Sequence, residues 1–403
     1  MLCEVKILTL NPKIRRGPLE IDAQKLKEKM DRGEDVFILD VRTPEEYEAW
    51  RLSYDKHAKT PLIPVERLFG AQKAIADQIP KDKEIITLCA HGNRSMMAAH
   101  LLSQMGYNAK SVRGGMAAWN QVYDVATVVD MPESHLRIWQ LRRISKGCLS
   151  YVIAAGTSAT VIDSTCDFDN SALKLAEEQG LKITNVVDTH MHADHVSGLV
   201  SLARKTGAQA YLGAGEGYKV SGDSFKVNLI GDGHKIQVGS GATLTAIHTP
   251  GHTEGSTSYA FEVTKGSVMR TLLFTGDTLF VNAVGRPDLR DKAPEFAEKL
   301  YDTYQAKLLK LPDDTLILPA HFDTNSITIK HGDLIADTIG SVKKNVKFLS
   351  MPKEEFVQAM SSSVPPRPAN YKMITQINQE LVGCEEINMG DLEAGPNSCA
   401  IRM

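Results

Sequence analysis

Thr189-His190-Met191-His192-Ala193-Asp194-His195 places four metal-binding groups within seven residues, directly after the β-rich run Lys182–Asp188. The same register recurs three more times. His252 follows a Pro-Gly turn after 243–247, Asp277 follows Thr-Gly after 271–274, and His321 follows Pro-Ala after 315–319. Imidazole nitrogen and carboxylate oxygen are the ligands that zinc and iron sites are built from. A single His at a strand end is usually a packing or surface residue. Here five of the twelve histidines share one register beside two aspartates, and packing does not account for that. His248, just before the turn, is assigned a structural role.

A second constellation is Cys89-Ala90-His91-Gly92-Asn93-Arg94-Ser95. Here a cysteine ends the β-rich run Glu84–Leu88, and a helix is expected to open near Arg94-Ser95. Backbone N–H groups and the positive end of that helix would point at the sulfur, favouring a thiolate and an anion beside it. A lone buried cysteine is ordinarily a packing group, but a Cys-x4-Arg loop opening a helix argues for a nucleophile.

These groups need elements to hold them. In the first part, Asp35–Val41 and Glu84–Leu88 read as strands. Ala98, Leu101, Leu102 and Met105 recur at helical spacing with Gly106 as a stop, so a small parallel α/β domain is expected. Gly114–Trp119 closes it and Val128–His135 reads as a linker. Beyond, 149–164 reads as a hairpin around Gly-Thr-Ser. Val196, Leu199, Val200 and Ala203 mark a helix ending at Gly207, and further strands follow at 243–247, 256–263, 271–274 and 315–319. The glycine-rich Gly213–Gly217 lacks the Lys-Ser/Thr of a phosphate loop and is read as a plain loop. The tail carries a Pro-rich loop at 361–371 and one helix. The domains expected are 1–130, 131–350, and a C-terminal extension 351–403 packing on the second.

Composition narrows the class. A hydrophobic share of 42%, a charged share of 24% and a net charge of -3 describe a globular chain without a basic stripe for nucleic acid. No apolar run is long enough to span a bilayer, and the start lacks the order of a signal peptide. The six cysteines lie far apart with no CxxC pair, which reads as free thiols in a reducing cytoplasm, Cys384 and Cys399 among them as unpaired tail thiols. Self-association is left open.

The set His-Met-His-Ala-Asp-His, Thr-Pro-Gly-His-Thr, Thr-Gly-Asp and Pro-Ala-His resembles the metallo-β-lactamase superfamily over roughly residues 135–350. That resemblance implies an αββα sandwich with its site at the sheet edges. In the superfamily's two-metal hydrolases the matching residues would be His190, His192 and His252 on one ion, and Asp194, His195 and His321 on the other, with Asp277 bridging. Such a pair activates water. The subset His190, His252 and Asp277 is also the two-histidine, one-carboxylate set that leaves positions open on mononuclear Fe(II) for oxygen chemistry. Spacing does not choose between two Zn ions and one Fe(II).

Residues 18–125 resemble rhodaneses, through 38–50, 89–107 and 113–119. The resemblance implies Cys89 as the persulfide-carrying nucleophile, the amides of Ala90, His91, Gly92, Asn93, Arg94 and Ser95 cradling the outer sulfur, and Arg94 binding an anionic donor or acceptor. A Gly-His-Ile-Pro-Gly-Ala-like stretch usual in rhodaneses is replaced by 51–64.

A sulfurtransferase joined to a metal domain suggests sulfur substrates for both. The whole chain resembles persulfide dioxygenase–rhodanese fusions, with the rhodanese first. The resemblance implies iron on His190, His252 and Asp277, and oxidation of a low-molecular-weight thiol persulfide by O2 to sulfite. It further implies exchange of sulfane sulfur with sulfite or thiosulfate at Cys89. His192, Asp194, His195 and His321 would then orient ligands and water. Arg286, within 276–289, is a candidate substrate contact or support. Where these dioxygenases often have a Tyr shortly after the last His, Phe322 and Asp323 stand here. Two other functions remain open: a glyoxalase II-like dinuclear zinc thioester hydrolase, and a sulfur relay to a partner protein with an inert second domain. A flavodiiron-type reductase is disfavoured because it would carry Glu at His192, and RNA-cleaving relatives need a basic surface.

Overall fold

A computed structural model describes residues 19–402 except 58, 71–77, 167–170, 221–224, 240, 266, 289–291, 363–365, 368–369 and 388–391. Cys3, counted above among the free thiols, lies outside the described residues. The chain forms two compact units, one ending at Trp119 and the other starting at Asn120 and including Ser53–Asp55.

The first unit is a four-stranded parallel sheet. Its strands are β1 (Glu20–Ile21), β2 (Val36–Asp40), β3 (Glu84–Leu88) and β4 (Asn108–Val112), in the order β1-β4-β3-β2. Helices α1 (Ala23–Asp31), α2 (Pro44–Ala49), α3 (Val65–Gly70), α4 (Asn93–Gln104) and α5 (Gly115–Trp119) flank it. Leu39, Ile85, Ala98 and Leu102 belong to its buried core, so the apolar spacing read along α4 is the face that packs. Met105 caps α4, and Gly106 beyond it takes a positive φ of 87°. Thr43 and Glu46 form a reciprocal capping box at the start of α2, with Pro44 at its first turn.

The second unit begins with β5 (Tyr123–Met131), which overturns the reading of Val128–His135 as a linker. These residues continue as a strand paired antiparallel with β6 (Leu136–Arg143) and turn through Pro132–Ser134. With β7 (Leu149–Ala155), β8 (Ser158–Ile162), β9 (Lys182–Val187), β10 (Gln209–Gly213) and β11 (Val227–Ile230) they make a seven-stranded sheet in reverse sequence order. The hairpin expected at 149–164 is β7–β8.

A second sheet holds β12 (Lys235–Val238), β13 (Ala242–His248), β14 (Thr257–Lys265), β15 (Val268–Gly276), β17 (Leu316–Pro319) and β18 (Asp337–Thr338), while β16 (Val284–Gly285) pairs with β19 (Ala400–Ile401). The Tyr151 ring of β7 meets Phe274 of β15 edge-on at 4.9 Å, and its hydroxyl donates to the Pro319 carbonyl of β17 at 2.6 Å, so the two sheets face one another.

Helices α6 (Ser171–Glu178) and α7 (Leu199–Thr206) bury Leu175, Leu199 and Ala203 against the first sheet; Gly207 ends α7 in the left-handed region. Helices α8 (Ala293–Ala306), α9 (Ile339–Asn345) and α10 (Lys353–Ser362) bury Leu300, Val342 and Phe356 against the second. The layers are therefore the αββα sandwich expected.

The C-terminal part adds α11 (Tyr371–Gln379) and β19. Cys166 and Cys384 form a disulfide across a separation of 218 residues, which corrects the expectation of free thiols throughout. Chain folding, not local spacing, brings the two together. Cys89, Cys148 and Cys399 are free and buried. No helix among the described residues is long and apolar enough to cross a membrane.

Candidate metal centre and sulfur loop

The edges of both sheets of the second unit converge on one buried cluster. The segment after β9 brings His190, His192, Asp194 and His195, each no more than 2% exposed. β13 leads to His252, β15 to Asp277, and β17 to His321, which are buried equally deeply. Strand ends deliver these side chains because the pleat stops there and the following loop can turn inward.

Three of the seven meet around Asp277. His190 Nε2 lies 3.4 Å and His252 Nε2 3.6 Å from Asp277 Oδ2. Metal–ligand bonds of about 2.1 Å place neighbouring ligand atoms about 3.0–3.4 Å apart, close to what is found. The remaining atom of each side chain is already engaged. His190 Nδ1 is 2.8 Å from Thr189 Oγ1, which itself bonds Asp163. His252 Nδ1 donates to the Arg286 carbonyl at 2.8 Å, and His321 Nδ1 donates to Asp277 Oδ1 at 2.6 Å. Such outer bonds fix tautomer and ring orientation. What is left over, His252 Nε2 and Asp277 Oδ2, is buried with no hydrogen-bond partner. Unsatisfied buried atoms cost stability, and a metal ion between them removes that cost, so the set fits a cation. Burial pushes His252 down to about 3, leaving the neutral imidazole that ligates. Burial alone would raise Asp277, but the neighbouring His321 and His190 outweigh it and hold the carboxyl well below its usual range.

The other four predicted residues are partnered only in part: His192 Nδ1 and Nε2, His195 Nε2 and His321 Nε2 are likewise buried without a hydrogen-bond partner. His192 Nε2 stands 3.3 Å from Asp163 Oδ1, in a buried group with Asp188. Asp194 lies 3.1 Å from both His195 Nδ1 and His321 Nε2. Cys148 joins Asp194, His195 and His321 in a second set of closely spaced donors, and Cys399 joins Asp277 and His321. Burial keeps both of these thiols protonated by pushing their pKa up.

Cys148, Cys399, Asp163 and Asp188 had no local motif to announce them. Nor did Asn378 of α11, whose amide donates to the carbonyls of His192 (2.9 Å) and His195 (3.0 Å) and accepts from Ser197 N–H at 2.9 Å. Arg286 is fully buried and directs its guanidinium at Asp288, at 2.7 and 3.0 Å, and at the carbonyls of Pro366 and Ser398. Its main-chain carbonyl, not its charge, reaches the candidate ligand His252. His248 sits apart from the cluster, its Nε2 2.9 Å from the Glu254 carbonyl.

In the first unit, Cys89 follows β3 and is 1% exposed. Gly92 N–H donates to its Sγ at 3.1 Å, and Ser95 Oγ lies 3.2 Å away, itself 2.8 Å from Ser111 Oγ. Gly92 caps α4 with a φ of 99°, turning the loop so that its amide faces the sulfur. His91 and Asn93 are exposed on the rim. The Arg94 guanidinium pairs with Glu46 in a bidentate arrangement at 2.7 and 2.5 Å. This partner, 48 residues away, has no sequence signal.

Arg94 chiefly holds the Glu46 carboxyl down at about 2. The depressed value means that the pair contributes above the ordinary carboxylate range near 4.5 and is lost as pH falls through about 2. It is therefore intact at neutral pH. Glu46→Gln keeps the capping box and loosens the pair, which at this exposure is worth up to about 1 kcal/mol. If Cys89 transfers sulfur from thiosulfate to cyanide, the KM for thiosulfate is expected to fall by up to about fivefold in this variant, with kcat little changed. A rise in KM would mean that Glu46 positions Arg94 and does not compete with the donor.

Comparison with known proteins agrees with both halves. Residues 145–321 match the metallo-beta-lactamase superfamily and residues 22–122 the rhodanese-like domain. The mitochondrial persulfide dioxygenase ETHE1 of Bos taurus is 30% identical over 221 residues, covering 55% of this chain and 78% of the relative. A hydroxyacylglutathione hydrolase of Polaromonas sp. is 34% identical over 149 residues, 37% of this chain and 52% of that protein. The crystal structure of a metallo-beta-lactamase from Staphylococcus aureus superposes with a TM-score of 0.55 at 28% identity, covering 62% of this chain and 74% of the other. The chain thus belongs to the metallo-β-lactamase superfamily, as a rhodanese domain fused to a lactamase-type metal domain homologous to the ETHE1 persulfide dioxygenases.

Proposed function

We propose that the second unit oxidises a low-molecular-weight thiol persulfide to sulfite at a single ferrous ion, and that Cys89 of the first unit carries sulfane sulfur. One observation carries most of the weight. His190, His252 and Asp277 form a closely spaced set of two histidines and one carboxylate, the ligand type of mononuclear Fe(II) sites, while His192, His195 and His321 also have ring nitrogens without hydrogen-bond partners. A ferrous ion held by the first three would supply activation of O2 and of the outer sulfur through its open positions. The balance is RSSH + O2 + H2O giving RSH, sulfite and two protons.

Within that scheme His321 and Thr189 keep the ligands oriented, and the buried surround excludes bulk water. In the first unit a thiolate at Cys89 attacks the outer sulfur of a thiol persulfide, breaking its S–S bond and releasing the thiol as thiolate, to leave a persulfide on Cys89. The Cys89 persulfide then passes its outer sulfur to sulfite, forming thiosulfate and regenerating the thiolate. The scheme needs Cys89 as a thiol, which fits a cytoplasmic setting, whereas the Cys166–Cys384 disulfide weighs against a strongly reducing one.

The second closely spaced set, Cys148 with Asp194, His195 and His321, favours one rival: a dinuclear zinc centre cleaving a glutathione thioester. Anaerobically purified protein loaded with Fe(II) is expected to consume oxygen on addition of glutathione persulfide and to release sulfite. Absence of uptake, together with two bound zinc ions and thioester cleavage, would overturn the dioxygenase assignment.

A further inference from the structure

The glycine-rich stretch Gly213–Gly217, read from its sequence as a plain loop, lies against the loops that carry His190 and His252. It forms a tight turn after β10 that carries Glu216, a carboxylate 1% exposed. Glu216 Oε1 accepts from the backbone N–H of Met191 at 3.1 Å and, by a short bond, from the hydroxyl of Thr253. Met191 follows His190 directly, and Thr253 follows His252. One oxygen atom therefore joins the neighbours of two candidate metal ligands that lie on different loops, from different sheets. Ser256 Oγ extends the link, 2.7 Å from Thr253 Oγ1 and accepting from Thr253 N–H at 3.1 Å.

Two glycines make room for this. A Cβ on Gly215 would lie 2.9 Å from Gly255 Cα, and one on Gly255 would lie 2.5 Å from both Glu216 N and Cγ. The turn and the His252 loop thus touch backbone to backbone, and any larger side chain would push them apart. A buried carboxylate is costly to keep unless it is hydrogen-bonded, and the two donors on Oε1 flank the candidate ligands.

We propose that Glu216 is a positioning residue of the metal centre, setting the spacing of the His190 and His252 loops. This rests on His190, His252 and Asp277 holding a metal, and not on which metal or reaction. Metal binding is sensitive to shifts of a few tenths of an ångström in its ligands. Loss of supporting bonds typically costs about ten- to a hundredfold in affinity.

The test is Co(II) titration of the apo protein under nitrogen, reading the dissociation constant and the visible d–d spectrum, with His252→Ala as the variant lacking a ligand. Glu216→Ala is expected to weaken binding about ten- to a hundredfold and to alter the spectrum. Glu216→Gln, whose amide oxygen can accept both bonds, is expected to stay within about threefold of wild type with an unchanged spectrum. Should Glu216→Ala fail to unfold cooperatively as the apo protein, Thr253→Val, which deletes one donor only, carries the test, with an intermediate loss expected. Wild-type affinity and spectrum in the alanine variant, or in Thr253→Val where that stands in, overturn the proposal. A wild-type protein that takes up no Co(II), or whose binding survives His252→Ala, overturns the metal-centre assignment itself.

Discussion

Replacing His252 with alanine is expected to abolish persulfide-dependent oxygen uptake, by at least about a thousandfold, and to remove the bound metal with it. The imidazole is 1% exposed, and its Nε2 lies 3.6 Å from Asp277 Oδ2 with no other partner. Its Nδ1 is committed to the Arg286 carbonyl. The side chain has one unpartnered ligand atom, and it faces Asp277. Losing a ligand forfeits the several kcal/mol of stabilisation that a metal lends to charge developing in a reaction, and about 4 kcal/mol already corresponds to a thousandfold. The informative control is His248→Ala. That residue occupies the end of the strand leading to the same turn yet stands outside the cluster, and its loss should change uptake by less than about twofold. Metal content by elemental analysis and uptake by an oxygen electrode should fall together in the first variant and in neither case in the second. Retained uptake in His252→Ala would remove the basis for the three-residue iron site.

How much of this was legible before folding follows from the range of the interactions. The candidate ligands could be proposed because His and Asp recur within a few residues after each of four β-rich runs, a pattern local to fewer than ten residues; the sulfur loop could be proposed because a cysteine, a turn and a helix start are contiguous. Partnerships across the chain could not. Cys166 and Cys384 read as unrelated thiols, and Cys399 as a tail residue, because only the return of the C-terminal segment onto β16 and the ligand loop brings them in. The same holds for Asn378 at the carbonyls of His192 and His195, and for Glu46 on Arg94. Glu216 is hidden differently: its glycine-rich stretch reads as a plain loop, because glycines serving close backbone approach carry no sign of what they approach. Tyr123–Met131 was mistaken in part for a linker because Pro132 and polar neighbours punctuate its end, although its Val and Thr content suits the edge strand it forms.

Cys89→Ser should do the opposite of His252→Ala: abolish sulfur transfer from thiosulfate to cyanide, by at least about a thousandfold, while oxygen uptake with added persulfide stays within about twofold. The substitution is nearly isosteric, and a serine oxygen can keep the bonds from Gly92 N–H and to Ser95 that hold the sulfur now. What it cannot do is form and release a persulfide, since a hydroxyl neither ionises readily at neutral pH nor bonds reversibly to sulfane sulfur. The first unit has its own sheet and its own buried core, so this change should leave the second unit's ligands undisturbed. Product analysis sharpens the contrast. Wild type supplied with a persulfide and oxygen should yield thiosulfate along with sulfite, because sulfite leaving the oxidation step can collect sulfur from Cys89. In Cys89→Ser, sulfite should accumulate in proportion to oxygen consumed, with thiosulfate reduced to the level formed without enzyme. A variant losing uptake and transfer alike would mean that persulfide reaches the metal centre only from Cys89. The cysteine would then be the obligatory carrier, and the free thiol persulfide would not be the substrate of the oxidation.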